Sequence, residues 1–182
     1  MPVYVGMKKV KITLDTCVIN TRRRIEAMNR LEKWHDQGMI EIQKTSVMDT
    51  EFKGWKPGVE KSKEYEEKPE IMRWDVSRWD HAVWGGESLE DHLEEILNLL
   101  FPQHRHKPMS DVLEKHEKDY YDALHLATHK LYGNEIFVTT NTKHILKYKD
   151  ELKTEFGILV LTPEDCCGFL EDYVFVGKKR EG

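Results

Sequence analysis

Four short apolar runs, separated by stretches with helical spacing, leave few architectures open to this chain. VKITL at 10–14 alternates Val10, Ile12 and Leu14 with Lys11 and Thr13, the period of a half-buried strand. MIEIQKT, EIFVTT and ILVLT read as further strands at 39–45, 135–140 and 158–162. Between them, IEAMNRLEKWHDQ sets Ile25, Met28, Leu31 and Trp34 three apart, a helix stripe stopped by Gly38. Ser46 is placed to cap a short helix running through Glu51 and Trp55. ESLEDHLEEILNLLF at 87–101 is amphipathic and closed by Pro102; another helix begins near Asp111. The strongest helical pattern covers 119–132, DYYDALHLATHKLY, and ends at Gly133-Asn134. TKHILKYKDELKTEF reads as one helix over 142–156, and PEDCCGFLEDY as a last helix with Pro163 in its first turn. Strands alternating with helices predict an α/β fold with a mainly parallel central sheet.

The stretch from 56 to 86 breaks this rhythm. KPGVEKSKEYEEKPE is nearly all charge and turn residues and predicts an exposed loop. In IMRWDVSRWDHAVWGG, Trp74, Trp79 and Trp84 fall five apart, a period of neither helix nor strand. Their indoles are expected to pack on the body of the domain, with a base-stacking platform as the alternative.

No apolar run approaches the roughly 18–20 residues of a membrane span, and MPVYVGMKKV lacks the apolar core of a secretory signal. Three cysteines, Cys17, Cys166 and Cys167, form no Cys-x-x-Cys pair or disulfide framework. A cytoplasmic protein with reduced thiols is expected, with Cys17 a small core residue. The net charge of −5 argues against wrapping nucleic acid by bulk positive charge. It is compatible with clustered acids that hold metal ions, while Arg22–Arg24, Lys143 with Lys147 and Lys149, and Lys178–Arg180 offer local phosphate contacts.

In parallel sheets, ligands collect at the carboxyl ends of the strands. Asp15 follows the first strand and Asn141 follows IFVTT, so both are expected there. On the 119–132 helix, Tyr120, Ala123, Leu124, Ala127 and Leu131 form the expected core stripe, with Asp119 and Asp122 at its margin. The alternative for the two acids is a cap and a first-turn charge. His125 and His129 stand four apart, the spacing of two metal ligands, but no third ligand completes a zinc set. Surface or partly buried histidines are the plainer expectation, and His104 with His106 offers less still. Asp15, Glu51, Asp122 and Asn141 together would make an oxygen-rich site suited to Mg²⁺ or Mn²⁺.

LDTCVIN resembles the opening motif of PIN-domain nucleases, a hydrophobic strand ending in Asp-Thr-x-Val-Ile. TSVMDTEF is similar to their second acidic motif, DALHLATHKLYGNEIFVTTNTKHI to the third and fourth, and ILVLTPEDCCGFL to the closing strand and helix. The resemblance covers 10–55 and 119–170. It implies a single PIN-like domain over 1–182, a three-layer α/β/α sandwich with an extended insertion at about 56–118. It implies Asp15, Glu51 and Asp122 as catalytic, metal-binding carboxylates, with Asn141 completing the shell and Thr16 and Thr139 or Thr140 orienting a ligand. It further implies an endoribonuclease using Mg²⁺ or Mn²⁺ on an RNA substrate, leaving a 5′-phosphate and a 3′-hydroxyl. Many members are toxins of toxin–antitoxin pairs and many dimerise, so an antitoxin-like protein and a second copy are the partners implied. Two features depart from the family: Asn141 stands at a position usually held by Asp, with His144 where some members carry another acid, and the middle of the chain is longer. The alternatives are an inactive PIN-like module that binds nucleic acid or a protein, and a zinc hydrolase built on Asp122, His125 and His129.

Overall fold

The computed structural model describes residues 9–21, 25–45, 47–51, 65–68, 70–72, 82–84 and 88–175. In chain order these form β1 (Val10–Leu14), α1 (Thr16–Thr21), α2 (Glu26–Asp36), β2 (Ile40–Thr45) and α3 (Val47–Glu51). Three short strands follow, β3 (Glu66–Lys68), β4 (Glu70–Met72) and β5 (Ala82–Trp84). Then come α4 (Ser88–Leu100), α5 (Met109–Lys115), α6 (Glu117–Leu131), β6 (Ile136–Val138), α7 (Lys149–Phe156), β7 (Leu159–Leu161) and α8 (Pro163–Phe169).

The main sheet runs β3-β2-β1-β6-β7 with every pair parallel, and helices cover both of its faces. This is the α/β/α sandwich. The alternation of each strand divides the side chains between two cores. Ile12, Leu14, Ile40, Ile42, Ile136 and Val138 meet Val18, Met28, Leu31 and Leu170 on one face. On the other, Phe137 and Val160 meet α4, α5, α6 and α7 through Leu93, Ile96, Leu97, Val112, Leu124 and Leu152. Residues such as Ile12 and Leu14 are fully buried, each worth about 1.5–3 kcal/mol relative to exposure.

Several expectations change at this level. Thr13 was expected on a wet face of a half-buried strand, yet it is 1% exposed, because α6 covers that side. Residues 65–68 are not a loop: β3 pairs with β2 in the main sheet, and Tyr65 is buried with its hydroxyl donating to Glu32 (2.7 Å). β4 and β5 form a separate parallel pair. Trp74 and Trp79, with the cap at Ser46 and the helix end at Trp55, lie outside the described residues. The helix expected over 142–156 is a turn, a 3-10 turn at Leu146–Tyr148 and then α7, since the backbone N–H of Leu146 turns back to Asn141 O (2.9 Å). Leu131, expected in the core stripe, is 37% exposed at the last turn of α6.

β1 lies centrally, with β2 on one side and β6 on the other. The chain therefore reverses its direction of travel across the sheet at β1, and strand-end loops diverge there to leave a crevice. The backbone N–H of Asp15 donates to Val138 O (2.9 Å), and that of Thr139 to Leu161 O (3.0 Å), so the first residue beyond β1 and beyond β6 is tied to its neighbour strand.

Candidate functional site

Asp15 occupies the crevice end of β1 and is 4% exposed. Its Oδ2 accepts from the Thr139 hydroxyl and from the Cys17 thiol (3.1 Å). Cys17 in turn accepts from the Thr140 hydroxyl (3.1 Å). Burial, with the charge of Asp15, pushes the Cys17 thiol up to about 12, so the sulfur stays protonated and serves as a donor. Cys17 is thus more than the small core residue expected: it helps fix one oxygen of the first carboxylate.

α3 brings in Glu51. Its Oε2 accepts from the Thr16 hydroxyl and lies 2.8 Å from His125 Nε2. The opposite ring nitrogen, Nδ1, meets the hydroxyl of Thr45, the last residue of β2. Burial alone would push Glu51 up and His125 down. The bond between them and their opposite charges outweigh it, holding the glutamate below and the histidine above their ordinary values. His125 is therefore clamped between a hydroxyl at one ring nitrogen and a carboxylate at the other.

Asp122 stands one turn before His125 on α6. Burial, then the charges of Asp15 and Glu51, push its carboxyl up to about 7 despite the opposing charge of His125 and a bond from Asn141. The charges of Asp15 and Glu51 thus act on Asp122 from two other elements of the fold. Asn141 faces Asp122 with its amide N–H, Nδ2 to Oδ2 at 3.0 Å, while its carbonyl oxygen accepts from the backbone N–H of His144 (3.1 Å). His144 Nδ1 lies 3.4 Å from the same Asp122 oxygen. Asn141 therefore joins the site, though as a donor that orients Asp122 rather than as an oxygen ligand; its carbonyl is held by the backbone.

The histidine pair four apart does not act as a unit. His125 and His129 are both fully buried, against the expectation of surface or partly buried rings. Asn134 donates to the Thr13 hydroxyl (2.6 Å), and the same hydroxyl bonds to His129 Nδ1 (2.8 Å). Phe137 meets the ring edge-on. His129 belongs to the packing between β1 and α6, and no zinc set of Asp122, His125 and His129 forms. Asp119 sits in the first turn of α6, whose N-cap is His116, and bonds to His104 rather than capping.

The roles missed in the sequence are His125 as partner of Glu51 and Thr45 as partner of His125. The sequence placed Thr45 at the end of the strand read in MIEIQKT, and the sheet register, Thr13 opposite Gln43, sets it level with Asp15 at the same edge. Asp15, Glu51 and Asp122 offer only oxygen, the donor chemistry of Mg²⁺ and Mn²⁺. The repulsion that Asp15 and Glu51 exert on Asp122 is what a divalent cation would relieve, so the donor chemistry of these residues fits such an ion. Lys143, Lys147 and Lys149 are exposed on the segment that follows Asn141; Arg22–Arg24 and Lys178–Arg180 lie outside the described residues. No described helix is long and apolar enough to cross a membrane. No family model matches the chain, and no curated protein matches it in sequence.

Proposed function

We propose that this protein is a PIN-like, metal-dependent endoribonuclease of the cytoplasm, with Asp15, Glu51 and Asp122 holding Mg²⁺ or Mn²⁺. One observation carries the reading: at the strand-end edge of the sheet, burial together with the charges of Asp15 and Glu51, which come from the end of β1 and from α3, pushes Asp122 on α6 up to about 7. A surface cluster of acids would be screened by water and would not show this.

A bound ion supplies a water acidic enough to attack phosphorus near neutral pH and neutralises phosphodiester oxygens. The chain's own groups set the geometry. Thr139 and Cys17 fix Asp15 through one oxygen, and Asn141 with His144 fixes Asp122. Thr16 and the His125 ring hold Glu51, and Thr45 anchors that ring. Lys143 and its neighbours offer phosphate contacts beside Asn141. RNA as the substrate, and an antitoxin-like protein or a second copy as a partner, rest on the PIN resemblance.

The second reading, a module that binds nucleic acid or protein without cutting, is favoured by the same His125–Glu51 pair. Part of the site's negative charge is already neutralised from within, and Asn141 adds none. The deciding experiment is cleavage of a mixed RNA pool with EDTA, Mg²⁺ or Mn²⁺, beside Asp15→Asn. Cleavage that needs the metal and falls at least a hundredfold in the variant (about 2.7 kcal/mol of transition-state stabilisation) is expected. Retention of RNA with no cleavage by the wild type establishes the binding module instead.

A further inference from the structure

A second group of ligand-type side chains lies outside the three carboxylates. His104 ends the 3-10 turn after α4, His116 occupies the junction of α5 and α6, and Asp119 lies in the first turn of α6. One donor atom from each lies within 4.8 Å of the other two. His104 is 2% exposed, with Nε2 at 2.8 Å from Asp119 Oδ2, and the two imidazole rings are 4.4 Å apart at 43°. We propose that His104, His116 and Asp119 form a binding site for a divalent transition ion of the zinc class, separate from the oxygen site.

Two imidazoles and one carboxylate are too nitrogen-rich for Mg²⁺ and suit zinc, which takes three protein ligands and leaves a position for water. Metal–ligand bonds near 2.0–2.1 Å place tetrahedral ligand atoms roughly 3.4 Å apart, so an observed spread within 4.8 Å closes by side-chain rotation alone. His116 is exposed, which gives the ion a route in from solvent. Among the described residues no hydrogen bond to its ring is seen, so its contact with the His104 ring is what turning would adjust. The Lys107 ammonium is 3.3 Å from His104 Nδ1, which makes Nδ1 the acceptor and puts the ring proton on Nε2, facing Asp119. Binding at Nε2 moves that proton to Nδ1 and displaces the exposed Lys107 side chain into water.

The second imidazole separates this site from a plain hydrogen-bonded pair: His104 and Asp119 need no His116 beside them to bond to each other. The three ligands come from segments that meet at the break between α5 and α6, where His116 has φ −140° and ψ 46°. An ion there ties the break and fixes the start of α6, one turn ahead of Asp122. The role is a brace, with no part in the cleavage chemistry.

The test is equilibrium dialysis of the full chain against zinc, with excess Mg²⁺ present to fill the oxygen site. Wild type and Asp15→Asn are expected to retain one zinc per chain at micromolar free metal, and His116→Ala to bind at least tenfold more weakly. Removing an exposed ring leaves the core intact, and Asp119→Asn gives an independent check with the same expected loss. Cobalt in place of zinc should give the intense visible absorption of a tetrahedral site. No retention by the wild type, or equal retention by His116→Ala, overturns the proposal. So does loss on Asp15→Asn with His116→Ala unaffected, which would place the zinc at the carboxylates. None of these outcomes depends on whether RNA is cleaved.

Discussion

Burial and the neighbouring charges of Asp15 and Glu51 hold the Asp122 carboxyl protonated up to about 7, against 3.8 for an ordinary aspartate. Between those values the folded chain binds a proton that the unfolded chain does not, so stability is lost as pH rises through this window. Asp122→Asn, which carries no charge, is therefore expected to be more stable than the wild type at about pH 8 in EDTA, by about 1–3 kcal/mol in urea unfolding. Equal or lower stability would mean that the three acids do not repel as described. His129 acts in the opposite sense. Burial pushes its imidazole down to about 3, so from 6.5 downward the unfolded chain takes up a proton that the folded chain refuses. Stability then falls as pH falls, by about 1.4 kcal/mol per unit from this one group. Urea midpoints between about pH 6.5 and 4.5 should fall more steeply for the wild type than for His129→Leu; parallel slopes would refute the assignment.

At the scale of elements, the helix ends explain how strand and helix alternate so closely. α7 ends in Gly157 at φ +71°, with the N–H of Gly157 on Lys153 O (3.1 Å) and that of Ile158 on Leu152 O (3.0 Å). This paired turn reverses the chain straight into β7 and needs the left-handed conformation that glycine adopts most readily. A methyl group there meets nothing within 4 Å, so Gly157→Ala tests the backbone strain alone. A loss of about 1 kcal/mol is expected in chemical unfolding, and an unchanged midpoint would show that the turn tolerates an L side chain. α8 begins with Thr162, whose hydroxyl accepts from the Asp165 N–H (3.1 Å), and with Pro163 at its first position. These local signals are readable because caps and turns act over a few residues. The break within 142–156 was not readable, because periodicity continued across it while the Asn141 carbonyls turned toward the N–H groups of His144 and Leu146.

In the whole molecule, one parallel sheet carries a core on each face and gathers its strand ends at one edge. A divalent ion that binds Asp15, Glu51 and Asp122 only when folded should stabilise the entire sandwich through linkage. Millimolar Mg²⁺ or Mn²⁺ is expected to raise Tm by several degrees in wild type and by much less in Asp15→Asn, and an equal rise in both would move the ion elsewhere. The sequence determined the fold class through its strand and helix periods, and it pointed to Asp15, Glu51 and Asp122 through their positions after strands and on helices. Those are local patterns, set by which face of an element is apolar. Only the tertiary structure decided that Thr13 lies in a second core, that His125 pairs with Glu51, and that Asn141 turns its amide rather than its carbonyl to Asp122. Each depends on the packing of segments more than fifteen residues apart in the chain, and side-chain contacts at that range leave no periodic trace in the sequence.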